Sequence, residues 1–229
     1  MSVLESKSNN LRAIAAELIG TFALLFAGTG AVVINEVSGG AITHVGVALT
    51  FGLIVLAMIY TVGDVSGAHL NPAVTLGFWL ARKFPGKQVL PYVLAQIAGA
   101  LTASVVLRVL FPMNRLLGAT QPSGTAWQTF VLELVLTAIL MFVILNVSTG
   151  AKEKGITAGI AVGAIIGLEA MFAGPISGAS MNPVRSLAPA LVSGQFSSLW
   201  IYLLAPVTGA ALAVPAFYLV RGKDGCSVT

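Results

Sequence analysis

The fold is decided by two stretches of the chain, Gly67-Ala-His-Leu-Asn-Pro-Ala-Val-Thr-Leu76 and Gly178-Ala-Ser-Met-Asn-Pro-Val-Arg-Ser-Leu187. Both read G-A-x-x-N-P-x-x, then Thr or Ser, then Leu, and they begin 111 residues apart. Two further pairs of segments match at offsets of 116 and 110: E-L-x-x-T-x4-F from Glu17 and Glu133, and Y-x-L-A-x3-G-A from Tyr92 and Tyr202. Three ordered matches at a nearly constant offset predict an internal repeat, with halves at residues 1–118 and 119–229.

The composition is typical of a membrane protein. Apolar residues make up 57% of the 229 positions, and the 12 basic and 8 acidic residues only 9%, against about a quarter in a soluble domain. So few charges cannot cover a water-soluble surface, which excludes ordinary soluble enzymes and disordered chains. The excess of four positive charges is too small for a nucleic-acid-binding face. The single cysteine, Cys226, excludes an internal disulfide and a Cys-rich metal site, and we expect neither a metal nor a cofactor.

Long uncharged stretches predict six membrane spans, since a helix needs about 20 mostly apolar residues to cross the hydrocarbon core. We place the spans at residues 11–35, 42–62, 88–110, 127–148, 156–174 and 199–220. The helical parts of the two repeated stretches, 71–81 and 182–192, reach across only about half of the bilayer. They are predicted to be re-entrant half-helices, whose free backbone groups have to face protein or water.

The repeat is predicted to be inverted, because each half holds three spans and the second half therefore starts on the opposite side. Inverted repeats place a shared site at the membrane midplane, where broken helices meet. The distribution of basic residues predicts that both termini are cytoplasmic. Two basic residues fall on the outer side (Arg108 and Arg115) and nine on the inner side (Lys7, Arg12, Arg82, Lys83, Lys87, Lys152, Lys154, Arg221 and Lys223).

Each Asn-Pro pair, Asn71-Pro72 and Asn182-Pro183, is typical of a helix start, since Asn is a favoured N-cap and Pro suits the first helical position. One such pair would be an ordinary cap, but two at equivalent repeat positions predict helix N-termini that meet near mid-membrane. Each N-terminus carries roughly half a positive charge, which disfavours a cation between them. The two asparagine amides are predicted to donate to a passing oxygen and so to interrupt a proton wire.

The residues before each half-helix are predicted to turn their backbone carbonyls into a pore, where the carbonyls replace hydrogen bonds that an entering solute loses. They are Gly67, Ala68 and His69 in the first half, and Gly178, Ala179 and Ser180 in the second.

Two classes of function fit these features. A passive channel needs the half-helices alone, whereas a secondary transporter, which also uses inverted repeats and broken helices, needs a coupling-ion site. Intramembrane carboxylates are functional candidates by default, and the candidates are Glu17, Glu133 and Glu169. An enzyme is not expected, because the sequence has no Ser/His pair, HExxH motif or Cys nucleophile at catalytic spacing.

The segments His69-Leu-Asn-Pro-Ala-Val-Thr75 and Ser180-Met-Asn-Pro-Val-Arg-Ser186 closely resemble the paired signatures of the aquaporin, or major intrinsic protein, family. The resemblance implies an all-α membrane fold of six spans and two half-helices, with one pore per subunit and a homotetramer in the plasma or inner membrane. It also implies that Asn71-Pro72-Ala73 and Asn182-Pro183-Val184 lie at the pore. Val184 departs from the usual alanine and adds two methyl groups beside the midpoint.

The resemblance further implies a selectivity filter, carried over by offset from the two asparagines to Phe51, Ala170, Ala179 and Arg185. Water-selective members carry Phe, His, Thr or Cys, and Arg at these four places. The two alanines at the second and third places here therefore imply a wider ring. We expect water to pass together with small neutral solutes (glycerol, urea or metalloid acids), while protons and ions are excluded. A strictly water-selective pore is the alternative. The run from Ala173 to Asn182 is similar to plant nodulin-type members.

Three glutamates remain to be placed. In the family, residues matching Glu17 and Glu133 accept hydrogen bonds from the adjacent re-entrant loops, and we expect that role here. Glu169 adjoins Ala170, where similar members often have Asn, and is predicted either to brace the outer loop or to line the mouth of the pore.

Overall fold

The computed structural model describes residues 3–148 and 152–222, with side chains for residues 9–148 and 157–222. Lys223 and Cys226 lie outside that part of the chain. Within it the protein forms eight α-helices: α1 (Val3–Val37), α2 (Thr43–Ser66), α3 (Pro72–Leu80), α4 (Gly86–Leu110), α5 (Ala126–Ser148), α6 (Lys152–Ser177), α7 (Pro183–Ser193) and α8 (Leu199–Arg221). The predicted all-α fold is confirmed.

Six of these helices are long and apolar enough to cross a membrane. Five of them match the predicted spans to within four residues at each end, whereas α1 begins eight residues earlier than predicted, at Val3. The extra turns carry Glu5 and Lys7. Hydropathy marks where the membrane ends, and a helix can continue beyond that point with polar residues.

The two halves pack in the same way. In the first half α1 lies against α4 and α2, and in the second α5 lies against α8 and α6, while α2 and α6 join the halves. A Cβ added to Gly99 would overlap the Leu18 carbonyl, and one added to Gly209 would overlap the Leu134 carbonyl. The same close helix crossing is thus built twice.

The two short helices start as the Asn-Pro pairs predict. Asn71 and Asn182 are extended N-caps, and their Oδ1 atoms accept hydrogen bonds from the N–H of Ala73 (2.8 Å) and Val184 (3.1 Å). Proline follows in each helix, where its missing N–H costs nothing. Each short helix packs against both α4 and α8, so one long helix from each half holds it.

Candidate pore and its constriction

The loop before each short helix has the same unusual backbone. Positive φ angles recur at three places in each loop: Gly67 (84°), Ala68 (46°) and Leu70 (52°), then Gly178 (85°), Ala179 (41°) and Met181 (52°). Glycine adopts this region freely, whereas alanine, leucine and methionine do so at a cost of about 1–3 kcal/mol each. Such a loop persists only where its surroundings hold it in place.

In the first half one buried glutamate holds the loop. Glu17 accepts hydrogen bonds from the Ser66 hydroxyl (2.8 Å), the N–H groups of His69 (2.9 Å) and Leu70 (2.7 Å), and the Gln96 amide (2.8 Å). Its side chain is fully buried. The loop therefore satisfies its N–H groups where no water is available to do so.

Glu133 takes the same place in the second half. It accepts hydrogen bonds from the Ser177 hydroxyl (2.7 Å) and from the N–H groups of Ser180 and Met181 (2.8 Å each). Pro206 stands at the repeat position of Gln96 and has no side-chain donor. The second carboxylate is thus supported by fewer groups than the first.

The two loops are joined by the asparagines. The Asn71 amide donates to the Met181 carbonyl (2.8 Å), and the Asn182 amide donates to the Leu70 carbonyl (2.9 Å). An amide carries two N–H donors, so each asparagine has a second donor left. Both asparagines line the same cavity, into which that second donor is available.

The channel cavity, of about 60 Å³, is lined by both asparagines and by residues of both loops. That volume is roughly twice the share of one molecule in liquid water. A wider vestibule, of about 300 Å³, lies next to it. Phe51, Ala170 and Arg185 line both spaces, so they form the constriction between them. Ala179 also lines the channel cavity.

The position of Arg185 is fixed from two sides. Its Nη1 donates to the Gly118 carbonyl (2.6 Å), and its Cζ lies 5.1 Å from the centroid of the Phe51 ring. Its Nε has no hydrogen-bond partner within the described part of the chain. A buried guanidinium held in this way keeps its charge at the constriction.

Comparison with known proteins assigns this architecture. A family model described as major intrinsic protein matches residues 4–217. The chain belongs to the major intrinsic protein family. This major intrinsic protein is 50% identical to Aquaporin NIP1-4 of Oryza sativa subsp. japonica over 212 residues, 92% of this chain and 77% of the relative. It is 46% identical to Nodulin-26 of Glycine max over 215 residues, 93% and 79% of the two chains.

A solved structure agrees with the fold of this major intrinsic protein. The aquaglyceroporin from Plasmodium falciparum superposes with a TM-score of 0.82 at 28% identity, over 91% of this chain and 95% of the other. Family and helices together make the present chain a multi-pass membrane protein.

In this major intrinsic protein, only the asparagine of each triplet, Asn71-Pro72-Ala73 and Asn182-Pro183-Val184, lines the channel cavity. Pro72, Ala73, Pro183 and Val184 are buried behind it, and Val184, 1% exposed, belongs to the hydrophobic core. The added methyl groups of Val184 therefore face neighbouring side chains and do not face the pore. Of the predicted carbonyl-bearing residues, Ala68, His69, Ala179 and Ser180 line the channel cavity, Gly178 lines the vestibule, and Gly67 is exposed.

Glu169 takes neither of its two predicted roles. The side chain is 1% exposed, and neither carboxyl oxygen has a hydrogen-bond partner among the described residues. It therefore makes no bond that could brace the outer loop. The walls of the channel cavity and of the vestibule are formed by its neighbour Ala170 and by other residues.

Sequence reasoning missed four residues that complete the loops. Ser66 and Ser177 each cap their loop, accepting from the N–H of Ala68 (3.0 Å) and Ala179 (3.1 Å). Tyr92 and Tyr202 donate to the carbonyls of those two serines, at 2.9 and 2.7 Å. A signal was present, because both tyrosines lie in matched repeat segments and both serines extend the Gly-Ala match by one residue.

Proposed function

We propose that this protein is a passive channel for water and for small neutral solutes such as glycerol, urea or undissociated metalloid acids. The observation that carries the proposal is the constriction. Arg185, Phe51 and Ala170 form its wall, and Ala179 lies close by. Selectivity in such pores follows from diameter and from the donors that line them. Two methyl groups leave room beside one fixed guanidinium, which binds a hydroxyl or water oxygen while Phe51 faces the carbon side of a solute.

Exclusion of cations follows from three positive features. The guanidinium of Arg185 lies at the constriction, and the N-termini of α3 and α7 face the channel cavity through their asparagine caps. Each N-terminus carries roughly half a positive charge. A cation would lose its hydration in a narrow space and be repelled by these positive charges, whereas a neutral solute gains hydrogen bonds.

A channel is favoured over a transporter because the loop carboxylates are already occupied. The hydrogen bonds from the loops to Glu17 and Glu133 use both oxygens of each side chain, so neither is left to hold a coupling ion like those of secondary transporters. The third candidate, Glu169, lines neither the channel cavity nor the vestibule. The hydrogen bonds between Asn71 and Met181 and between Asn182 and Leu70 join the two halves at the centre. These bonds oppose the rocking of one half against the other.

The proposed setting is a homotetramer in the plasma or inner membrane, with one pore in each subunit and both termini in the cytoplasm. The halves at residues 1–118 and 119–229 form one inverted repeat. The basic residues near the ends of α1, α3 and α8 (Arg12, Arg82, Lys83 and Arg221) support this orientation, since cytoplasmic loops are rich in Lys and Arg.

The test is osmotic flux through the reconstituted protein. Stopped-flow light scattering on proteoliposomes is recorded with sucrose gradients for water, then with glycerol and urea gradients, with empty liposomes as the control. A channel gives fast flux that does not saturate and has a low activation energy. Slow, saturating flux would support a transporter, and water flux with glycerol and urea at the level of empty liposomes would support a strictly water-selective pore.

A further inference from the structure

One position of α1 beside the constriction, Gly28, is a glycine and so has no side chain. Leu24 lines the channel cavity and Val32 lines the vestibule. Gly28 lies midway between them, one helical turn from each and on the same face of α1. A Cβ added to Gly28 would lie 2.5 Å from Cδ1 and 2.6 Å from Cζ of Phe51, and closer still to Cε1. The ring of Phe51 therefore occupies the place that a side chain at position 28 would fill.

We propose that Gly28 is a specificity-determining residue of the pore. Its missing side chain forms a recess in α1 that holds the Phe51 ring back from the constriction, and the depth of that recess sets the width of the pore. The inference rests on the proposed channel function and deepens it. It adds a position on α1, a helix that supplies none of the four predicted filter residues.

A side chain at position 28 would displace the ring, because α1 has no room to retreat. On one side of the helix the Leu18 carbonyl lies against Gly99 of α4, where even a Cβ would overlap it. On another side Thr29 lies against the loop after α4, where a Cβ on Gly118 would be only 3.0 Å from the Thr29 Cβ. Both contacts fix the backbone of α1 on either side of the recess.

The displaced ring has to move into the constriction. Phe51 lines both the channel cavity and the vestibule, and its ring faces the Arg185 guanidinium 5.1 Å away. Restoring an ordinary carbon–carbon contact of about 3.5 Å requires the ring to shift by roughly 1 Å away from α1. In a cavity of about 60 Å³ such a shift removes the space that a solute larger than water needs.

The experiment compares three variants with the unmodified protein in proteoliposomes at equal protein content. These three are Gly28→Ala, Gly30→Ala as the matched control, and Gly28→Ala combined with Phe51→Leu. A fourth variant, Phe51→Leu alone, is the reference for the double variant. Gly30 lies on the same helix, but a Cβ there meets only Leu107 Cδ2 at 3.4 Å, an ordinary contact. Fluxes of water, urea and glycerol are recorded. The readout is the flux of the largest of these molecules that the unmodified protein passes.

We expect Gly28→Ala to lower that flux roughly tenfold, as a narrower pore requires, while Gly30→Ala leaves it unchanged. The double variant should recover the flux of Phe51→Leu alone, because the smaller side chain no longer fills the recess. Equal flux through Gly28→Ala and the unmodified protein would overturn the inference and leave the channel function standing. An unmodified protein that conducts neither water nor solute would overturn both.

The experiment also gives a result when a variant fails to fold. If Gly28→Ala alone yields no folded protein, the double variant decides, since shortening Phe51 removes the overlap. A folded double variant with the flux of Phe51→Leu supports the recess. A double variant that still fails to fold shows that position 28 is filled by something other than the ring, and overturns the proposal.

Discussion

The two halves of the chain build their loops alike but line the pore differently. At the same offsets from the two asparagines, the outer quartet is Phe51, Ala170, Ala179 and Arg185, and the inner quartet is Val162, Ile59, Ala68 and Val74. All eight line the channel cavity. Only the outer quartet holds a charge and an aromatic ring, so the two equivalent positions of the repeat are lined by different chemistry.

The support behind the loops differs as well. In the first half Gln96 bridges Glu17 and the Thr75 hydroxyl, at 2.8 and 3.0 Å. In the second half Ser186, at the position of Thr75, instead accepts a hydrogen bond (2.7 Å) from the hydroxyl of Thr120, in the loop between α4 and α5. The two halves therefore share the same loop backbone, while different side chains hold that backbone in each half.

The largest effect is expected from removing the loop carboxylates. Glu17→Ala leaves two N–H groups, the Ser66 hydroxyl and the Gln96 amide without their acceptor. Glu133→Ala leaves two N–H groups and the Ser177 hydroxyl, at about 1–3 kcal/mol for each buried donor. Both variants should lose most of their folded protein, with Glu17→Ala the less stable. The loss of folded protein is measured as the melting temperature in detergent, monitored by size-exclusion chromatography.

The control for that pair is Glu36→Ala, which removes an exposed carboxylate with a single hydrogen bond from Asn114 (2.9 Å). Its melting temperature should be close to that of the unmodified protein. If Glu133→Ala proves less stable than Glu17→Ala, the number of hydrogen bonds does not explain how the two halves differ.

The next largest effect concerns charge. Arg185→Val gives the outer quartet the residue that the inner quartet has at Val74, and removes the only charge from the constriction. Water flux should continue, while proton leak rises roughly tenfold for each 1.4 kcal/mol of repulsion lost. A pH-sensitive dye inside proteoliposomes reports the leak, with Arg221→Val at the end of α8 as the control. A leak unchanged in a folded, water-conducting variant would contradict the role of Arg185.

A third prediction concerns size. Ala170→His combined with Ala179→Thr fills the two open sides of the outer quartet, so glycerol flux should fall roughly tenfold while water is kept. The matched pair in the inner quartet, Ile59→His with Ala68→Thr, should lower glycerol flux less, since no guanidinium shares that ring. Swelling in glycerol gradients measures both. Equal losses in the two double variants would mean that both quartets select.

The smallest effect is expected at the second signature. Val184→Ala restores the residue that Ala73 provides in the first half. Because Val184 is buried in the core behind the cavity wall, flux of water and glycerol should not change. The free energy of unfolding should fall by about 1–2 kcal/mol, the usual cost of removing buried methyl groups. A changed glycerol flux at unchanged stability would place the Val184 side chain at the pore.

Sequence patterns predicted what depends on local chemistry. The caps at Asn71 and Asn182 and the lengths of the spans follow from the residues themselves, as does the contrast between long and half-length helices. Ser66 and Tyr92 were within reach, since the repeat extends to them. Gly28 was not, because a glycine in a span has no meaning until its neighbour Phe51 is known. The unpaired burial of Glu169 likewise depends on packing that no spacing along the chain reveals.

The crossed hydrogen bonds of the asparagines bear on how the protein is made. Asn71 donates to a carbonyl 110 residues further along the chain, and Asn182 donates back across 112 residues. When the first three spans have left the ribosome, Met181 has not yet been synthesised, and the Asn71 amide has no partner. The first loop is completed only when the second arrives, so the pore cannot be complete before the second half has been synthesised.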